Sequence, residues 1–201
     1  MSARDEVLAR VREAIAPAPA PAPNLPRAYR TRTDDGIETF LSRLHHYQAQ
    51  TRRIPESELD HAIGETLRER HARRVVAPDG IPQAWLAGLE PLHDTPPLDP
   101  HTLDGADAVV TTCAVAIAQT GTIVLDGSAG MGRRALSLVP DYHLCVVRSD
   151  QIVGSVPEAI ATLDPLRPLT FISGPSATVD IEMVRIVGVH GPRRLEVVIA
   201  G

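Results

Sequence analysis

Three segments rich in glycine and hydroxyl residues hold most of the side chains whose chemistry could engage a small molecule. The first is Thr120-Gly121-Thr122, preceded by Gln119 and followed by Asp126-Gly127-Ser128-Ala129-Gly130-Met131-Gly132-Arg133-Arg134. Glycines let a backbone approach a ligand closely, and Arg133 and Arg134 at a helix start are suited to grip a carboxylate or phosphate. The plainer reading is a hairpin turn followed by an exposed, capped helix. The second segment is Ser173-Gly174-Pro175-Ser176-Ala177-Thr178-Val179-Asp180-Ile181-Glu182, where a strand is expected to run into a helix. Amides at such a helix start attract anions, although Asp180 and Glu182 would offset part of that attraction. Capping by Ser176 or Thr178 explains the same composition. The third is Gly188-Val189-His190-Gly191-Pro192. His143, after Pro140-Asp141-Tyr142, opens a further strand, and His143 and His190 are the candidate general bases.

Several chemistries are excluded by residues the chain lacks. All 20 basic residues are arginine, so Schiff-base catalysis and a lysine-bearing phosphate loop are ruled out. The remaining histidines, His45, His46, His61, His71, His93 and His101, have no metal-ligand spacing, and no metal site is expected. There is no Gly-x-Ser-x-Gly elbow, and Gly127, Gly130 and Gly132 have the wrong offsets for a dinucleotide fingerprint. Two cysteines, Cys113 and Cys145, are too few to ligate an iron–sulfur cluster, so no cofactor is expected in this chain. Both sit in apolar runs and read as buried thiols of a reducing compartment, a disulfide between them being the alternative. A net charge of −5 and only six aromatic residues argue against a nucleic-acid partner.

The elements that must position these residues follow from periodicity. Residues 3–16 carry Val7, Leu8, Val11 and Ile15 on one helical stripe, which could dock on the same chain, on a partner or on a second copy. The alternating Pro17–Pro26 run that follows reads as an extended spacer. Helices are expected over 36–52 and 57–72, then a strand over Arg74–Ala77. Further apolar runs are Ala108–Ala118, Thr122–Leu125, His143–Val147, Leu169–Ser173 and Leu195–Ala200, with helix candidates near 132–138, 156–163 and 178–186. Short β-branched runs alternating with helices predict an α/β fold built on a mostly parallel sheet. Gln119-Thr120-Gly121 reads as a tight hairpin turn. At 201 residues the chain is expected to hold one domain, 31–201, with 31–72 a helical preamble and 1–30 an appendage. Ligands of such sheets bind at the carboxyl ends of the strands. No run approaches the ~20 apolar residues of a membrane span, and the charged N-terminus lacks a signal peptide's apolar core. A cytoplasmic protein is expected.

The strings Ala116–Leu125, Pro140-Asp141-Tyr142-His143-Leu144, Ser173–Glu182 and Gly188-Val189-His190-Gly191-Pro192, in this order over about 105–201, closely resemble the LUD-domain family. The resemblance implies a Rossmann-like sheet similar to the sugar-phosphate isomerases and CoA transferases. It also implies a role in oxidising L-lactate to pyruvate, beside two cysteine-rich iron–sulfur proteins that would carry the electrons. Members commonly have Glu immediately before the Thr-Gly-Thr, where this chain has Gln119. A carboxylate there could serve as base or nucleophile, whereas an amide only hydrogen-bonds.

Two readings follow. In the first, the chain is a subunit or accessory factor of a lactate-oxidising complex and binds a small carboxylate or phosphate. Gln119, Thr120, Gly121, Thr122, Arg133, Arg134, Ser173, Gly174, Pro175, Ser176, Asp180, Glu182, His190 and Gly191 are its candidate ligand-binding residues. In the second, it is a stand-alone enzyme on a small acid or sugar phosphate, with His143 or His190 as base. A purely structural partner with a remnant site is the remaining alternative.

Overall fold

The computed structural model describes residues 2–15, 25–26, 28–179, 185–188 and 191–201. The chain divides into two units, Met1–Arg30 and Thr31–Gly201. In the first, α1 spans Ala3–Ile15, and Val7, Leu8, Val11 and Ile15 are all exposed on it. The expected spacer lies, but for Leu25 and Pro26, outside the described residues.

The second unit runs α2 (Ile37–His46), β1 (Gln50–Ile54), α3 (Leu59–Glu69), β2 (Arg74–Val76), β3 (Glu90–Leu92), α4 (Pro100–Asp104), β4 (Ala108–Thr111), β5 (Val115–Ile117), β6 (Thr122–Leu125), α5 (Arg134–Leu138), β7 (Tyr142–Arg148), β8 (Ile152–Val153), α6 (Val156–Thr162), β9 (Thr170–Ile172), β10 (Ala177–Val179), β11 (Arg185–Val187) and β12 (Arg194–Ala200). Six strands form one parallel sheet in the order β1-β12-β7-β4-β2-β3. A second sheet, β8-β5-β6-β9, is mixed, and β10 and β11 form a separate antiparallel pair.

The central strands have no polar face because both faces of the parallel sheet are covered. On one side, Leu59, Ile63 and Leu67 of α3, with Trp85, pack on Val75, Val110, Leu144, Val146 and Val198. On the other, Phe40 and Leu44 of α2 and Ala116 and Ile123 of the mixed sheet pack on Cys145, Val147, Val197 and Ile199. Alternate residues of β7 and β12 thus enter opposite layers, as the two-residue period of a strand requires. Each such aliphatic side chain contributes about 1.5–3 kcal/mol by leaving water. Among the described residues, no helix is long and apolar enough to cross a membrane.

Three expectations need correction. The helix over 36–52 stops at His46, and Gln50–Ile54 forms an edge strand. Its Gln-Thr-Arg-Arg sequence hides it, since an edge strand with one neighbour tolerates exposed charge. The 31–72 stretch therefore contributes a strand as well as helices. The apolar run Ala108–Ala118 splits into β4 and β5, which belong to different sheets. The helix expected near 178–186 is not found at its described ends: Thr178 pairs with Ile186 and Val179 with Arg185 across β10 and β11. Five β-branched residues in that stretch, Thr178, Val179, Ile181, Val184 and Ile186, favour extended backbone.

Candidate functional site

All six parallel strands point the same way, so the sheet has an amino-terminal and a carboxyl-terminal edge. A cavity of about 250 Å³ opens at the amino-terminal edge, lined by the second residues of β7 and β12, His143 and Leu195. Arg134, Ser137 and Leu138 of α5 form one wall. Thr170–Ser176 and the Gly191-Pro192 turn form the others. This is the opposite edge from the one expected for an open α/β sheet.

Local chemistry explains how these walls are held. The Ser176 amide donates to the Pro192 carbonyl at 2.7 Å, and the Gly188 amide donates to the Ser176 carbonyl at 2.9 Å, tying the two loops together. Gly174 has φ +102°, and a Cβ there would lie 2.5 Å from the Tyr47 Cβ, so only glycine suits this wall. Thr120, Thr122 and Ser173 form a chain of hydroxyl contacts, each of 2.7 Å, ending at the cavity. The segment supplying this chain is a hairpin turn: Ile117 pairs with Thr122, and the Gly121 amide donates to the Ala118 carbonyl at 3.3 Å. Gly121, at φ +63°, packs on Arg43 and Leu44 of α2.

The two adjacent arginines have different fates. Arg133 is committed to Asp94, with Nε and NH2 contacts of 2.7 and 2.9 Å, and to the Leu98 carbonyl at 2.6 Å. The Arg133 guanidinium holds the Asp94 carboxyl below its ordinary range. The Arg134 guanidinium lines the cavity and makes no ion pair or hydrogen bond among the described residues. Gly127–Gly132 go elsewhere again. The Gly130 amide donates to the Asp79 carbonyl at 2.6 Å, and Gly127, Ser128 and Gly132 face a cleft containing Asp79 and Asp94. Two carboxylates make that cleft a poor anion site. Gln119 is exposed on the hairpin turn, outside the cavity lining, and its amide donates to the Gly154 carbonyl at 3.0 Å.

His143 is fully buried, with Nε2 2.7 Å from the Thr111 Oγ1. Nδ1 has no hydrogen-bond partner among the described residues. Burial pushes the imidazole pKa down from 6.5 to about 4, so the ring is neutral at physiological pH. The cavity therefore contains one fixed cation, hydroxyls, a neutral imidazole and apolar walls, with no carboxylate in its described lining.

Of the candidate binding residues, the structure brings Arg134, Ser173, Gly174, Pro175, Ser176 and Gly191 together with His143. Thr120 and Thr122 support them from behind, while Arg133 and Gln119 lie elsewhere. Asp180, Glu182 and His190 fall outside the described residues. Sequence reasoning missed Ser137 and Thr111. Ser137 carried a weak signal, as the one hydroxyl on a short apolar helix face. Thr111 carried none, because only the sheet register brings it to His143.

The matched portion of the chain includes this whole lining. A family model described as LUD domain matches residues 101–200. "Lactate utilization protein C" of Deinococcus radiodurans is 52% identical over 170 residues, covering 82% of this chain and 79% of that protein. The protein of the same name from Shouchella clausii is 36% identical over 94 residues, covering 43% of this chain and 41% of that one. A crystal structure of a DUF162 family protein from Deinococcus radiodurans superposes with a TM-score of 0.70 at 48% identity, covering 82% of this chain and 95% of that one. Sequence, sheet architecture and solved structure agree that the chain belongs to the LUD-domain family.

Proposed function

We propose that this chain serves lactate utilization as a subunit or accessory factor without a redox centre of its own, holding a small carboxylate in the cavity beside Arg134. The observation that carries the reading is electrostatic: Arg134 is the only charged side chain in the described lining and has no protein partner among the described residues. A guanidinium with free donors, beside hydroxyls and without a competing carboxylate among the described residues, selects a small anion. The cavity is below the ~300–1,000 Å³ of pockets for drug-sized ligands, which suits an acid of a few carbons. The names of the relatives support lactate chemistry as the setting.

Catalysis by this chain alone has less support. A general base works best with a pKa near the working pH, and His143 is far below it. Gln119 offers no carboxylate and lies outside the cavity lining. Two buried thiols cannot hold an iron–sulfur cluster, so electrons leaving lactate would pass to partner chains. Two cysteine-rich iron–sulfur proteins are the partners we propose, in the cytoplasm. The exposed apolar stripe of α1 is available to such a partner or to a second copy.

The test is affinity purification of the tagged chain from its host grown on L-lactate. The expected eluate contains cysteine-rich iron–sulfur proteins and reduces a dye when L-lactate is added, while the isolated chain does not. An eluate holding this chain alone, or lactate oxidation by the isolated chain, overturns the reading. The arginine pair sharpens it. Arg134→Ala should keep the partners and the fold yet lose at least tenfold in affinity for lactate. Arg133→Ala should lower stability by about 1 kcal/mol and leave that affinity alone, since it removes a half-exposed pair with Asp94 and a bond to the Leu98 carbonyl, both away from the cavity. Titration calorimetry and urea denaturation of both variants separate the two roles.

A further inference from the structure

A buried polar atom without a partner costs about 1–3 kcal/mol, and such atoms are rare enough that each one calls for an explanation. Among the described residues the unpartnered buried side-chain atoms are the Thr66 Oγ1 and the His143 Nδ1. Thr66 is a helix residue on α3, in the layer beneath the opposite face of the sheet. His143 lines the cavity. Its other nitrogen is already engaged by Thr111, which fixes the ring plane and leaves Nδ1 as the one free valence of the imidazole.

The ligand that suits this arrangement can be argued from proton positions. When Thr111 accepts from Nε2–H, the neutral ring presents Nδ1 as an acceptor. When the Thr111 hydroxyl donates to Nε2, the ring presents Nδ1–H as a donor. A rotation of one hydroxyl and a change of tautomer therefore convert the site from accepting to donating, with no change in charge. An alcohol oxygen and a ketone oxygen differ in this same respect. Resting on the carboxylate reading above, we propose that the cavity binds 2-hydroxy and 2-oxo acids. Arg134 takes the carboxylate, and the His143 Nδ1 pairs with the oxygen on the adjacent carbon. His143 is thus a specificity-determining residue, and Thr111 positions it.

The ring carries no exposed surface, so the pairing requires the lining to give way beside Nδ1. The wall beside it is loop, Ser173–Ser176, rather than sheet.

The experiment compares L-lactate, pyruvate and propionate, which share a carboxylate and chain length while propionate lacks the 2-oxygen. The purified full chain should bind lactate and pyruvate about tenfold more tightly than propionate by calorimetry. His143→Phe should bind all three at the propionate level. Because that variant alters a buried residue, a second readout uses the unaltered chain labelled with nitrogen-15 in its histidines. Lactate should shift the Nδ1 resonance of one imidazole, and propionate should not. Equal binding of the three acids by the unaltered chain, or an unmoved imidazole spectrum at saturation with lactate, overturns the assignment of Nδ1 and leaves the carboxylate site standing. Failure of all three acids to bind overturns both.

Discussion

Glu196→Ala should lower the unfolding free energy by about 3 kcal/mol, a large share of the marginal stability of a domain this size. Glu196 is 3% exposed, a carboxylate placed among the apolar residues Leu195, Val197, Val198 and Ile199 of β12. Donors surround it. The Tyr142 hydroxyl donates to Oε2 at 3.0 Å, the Arg70 Nε donates to the same oxygen at 3.1 Å, and the Arg52 Nε lies 3.7 Å from Oε1. Removing one partner from a buried ion pair costs about 3–5 kcal/mol, because the charge left behind is uncompensated. Both arginines keep about a third of their side-chain surface in water, 34% each, so they rehydrate and the cost falls at the lower end. The Tyr142 hydroxyl has no such escape. Tyr142→Phe alone should cost about 1 kcal/mol, and the double variant should cost less than the sum, since the two changes break one bond. Urea denaturation of the four proteins measures this. A loss under 1 kcal/mol for Glu196→Ala, or strict additivity, would mean the cluster does not act as a unit.

The segment around Tyr142 shows what was and was not legible in the sequence. Pro140-Asp141-Tyr142-His143 stood out as a motif, and His143 as a candidate base. The structure gives each polar member a different neighbour. Asp141 pairs with Arg193 at 2.5 Å, Tyr142 reaches Glu196 on one face of the sheet, and His143 reaches Thr111 on the other. Alternation along a strand predicts that Tyr142 and His143 part company, but nothing in the linear order says which residue of a neighbouring strand each will meet. The parallel architecture was readable for a related reason. Runs such as Val197-Val198-Ile199-Ala200, apolar on both faces, admit few other folds. Gln50–Ile54 defeated the same reasoning because an edge strand is not obliged to be apolar.

Site residues divided along similar lines. Arg133 and Arg134 are indistinguishable by type and by place at the start of a helix. One is bound to Asp94, a residue 39 positions away, and the other faces the cavity. The glycines that drew notice at 127–132 serve a close approach between loops, since a Cβ on Gly130 would meet the Thr112 Oγ1 at 2.5 Å. Composition identified segments able to bind an anion. Assigning the anion to one sheet edge required the fold.

The pH dependence of stability should expose His143 directly. In the unfolded chain its imidazole titrates near 6.5, and in the folded chain burial lowers that to about 4. Between these values the unfolded chain carries a proton that the folded chain excludes, so unfolding becomes easier as the pH falls through this window. The depression costs the folded state about 3 kcal/mol by the time the pH reaches 4, and nothing above about 7. Carboxyls held below their ordinary range, Asp94 and Asp141 among them, add losses of their own at the acid end. Asp94, held down by Arg133, and Asp141, held down by Arg193, contribute stability present above their ordinary range and lost as the pH falls through their lowered folded values. A comparison with His143→Gln removes that overlap, because glutamine cannot titrate and the carboxyls remain. The variant should be less stable than the original chain at pH 7, where it loses the imidazole's packing, and should lose about 3 kcal/mol less between pH 7 and pH 4. Denaturant titrations at half-unit pH steps measure the difference. Parallel curves for the two proteins would mean that the folded chain protonates His143 near 6.5, placing a second cation beside Arg134 in weakly acidic solution. The ability to serve alcohol and ketone oxygens alike, argued from a neutral ring, would then have no basis.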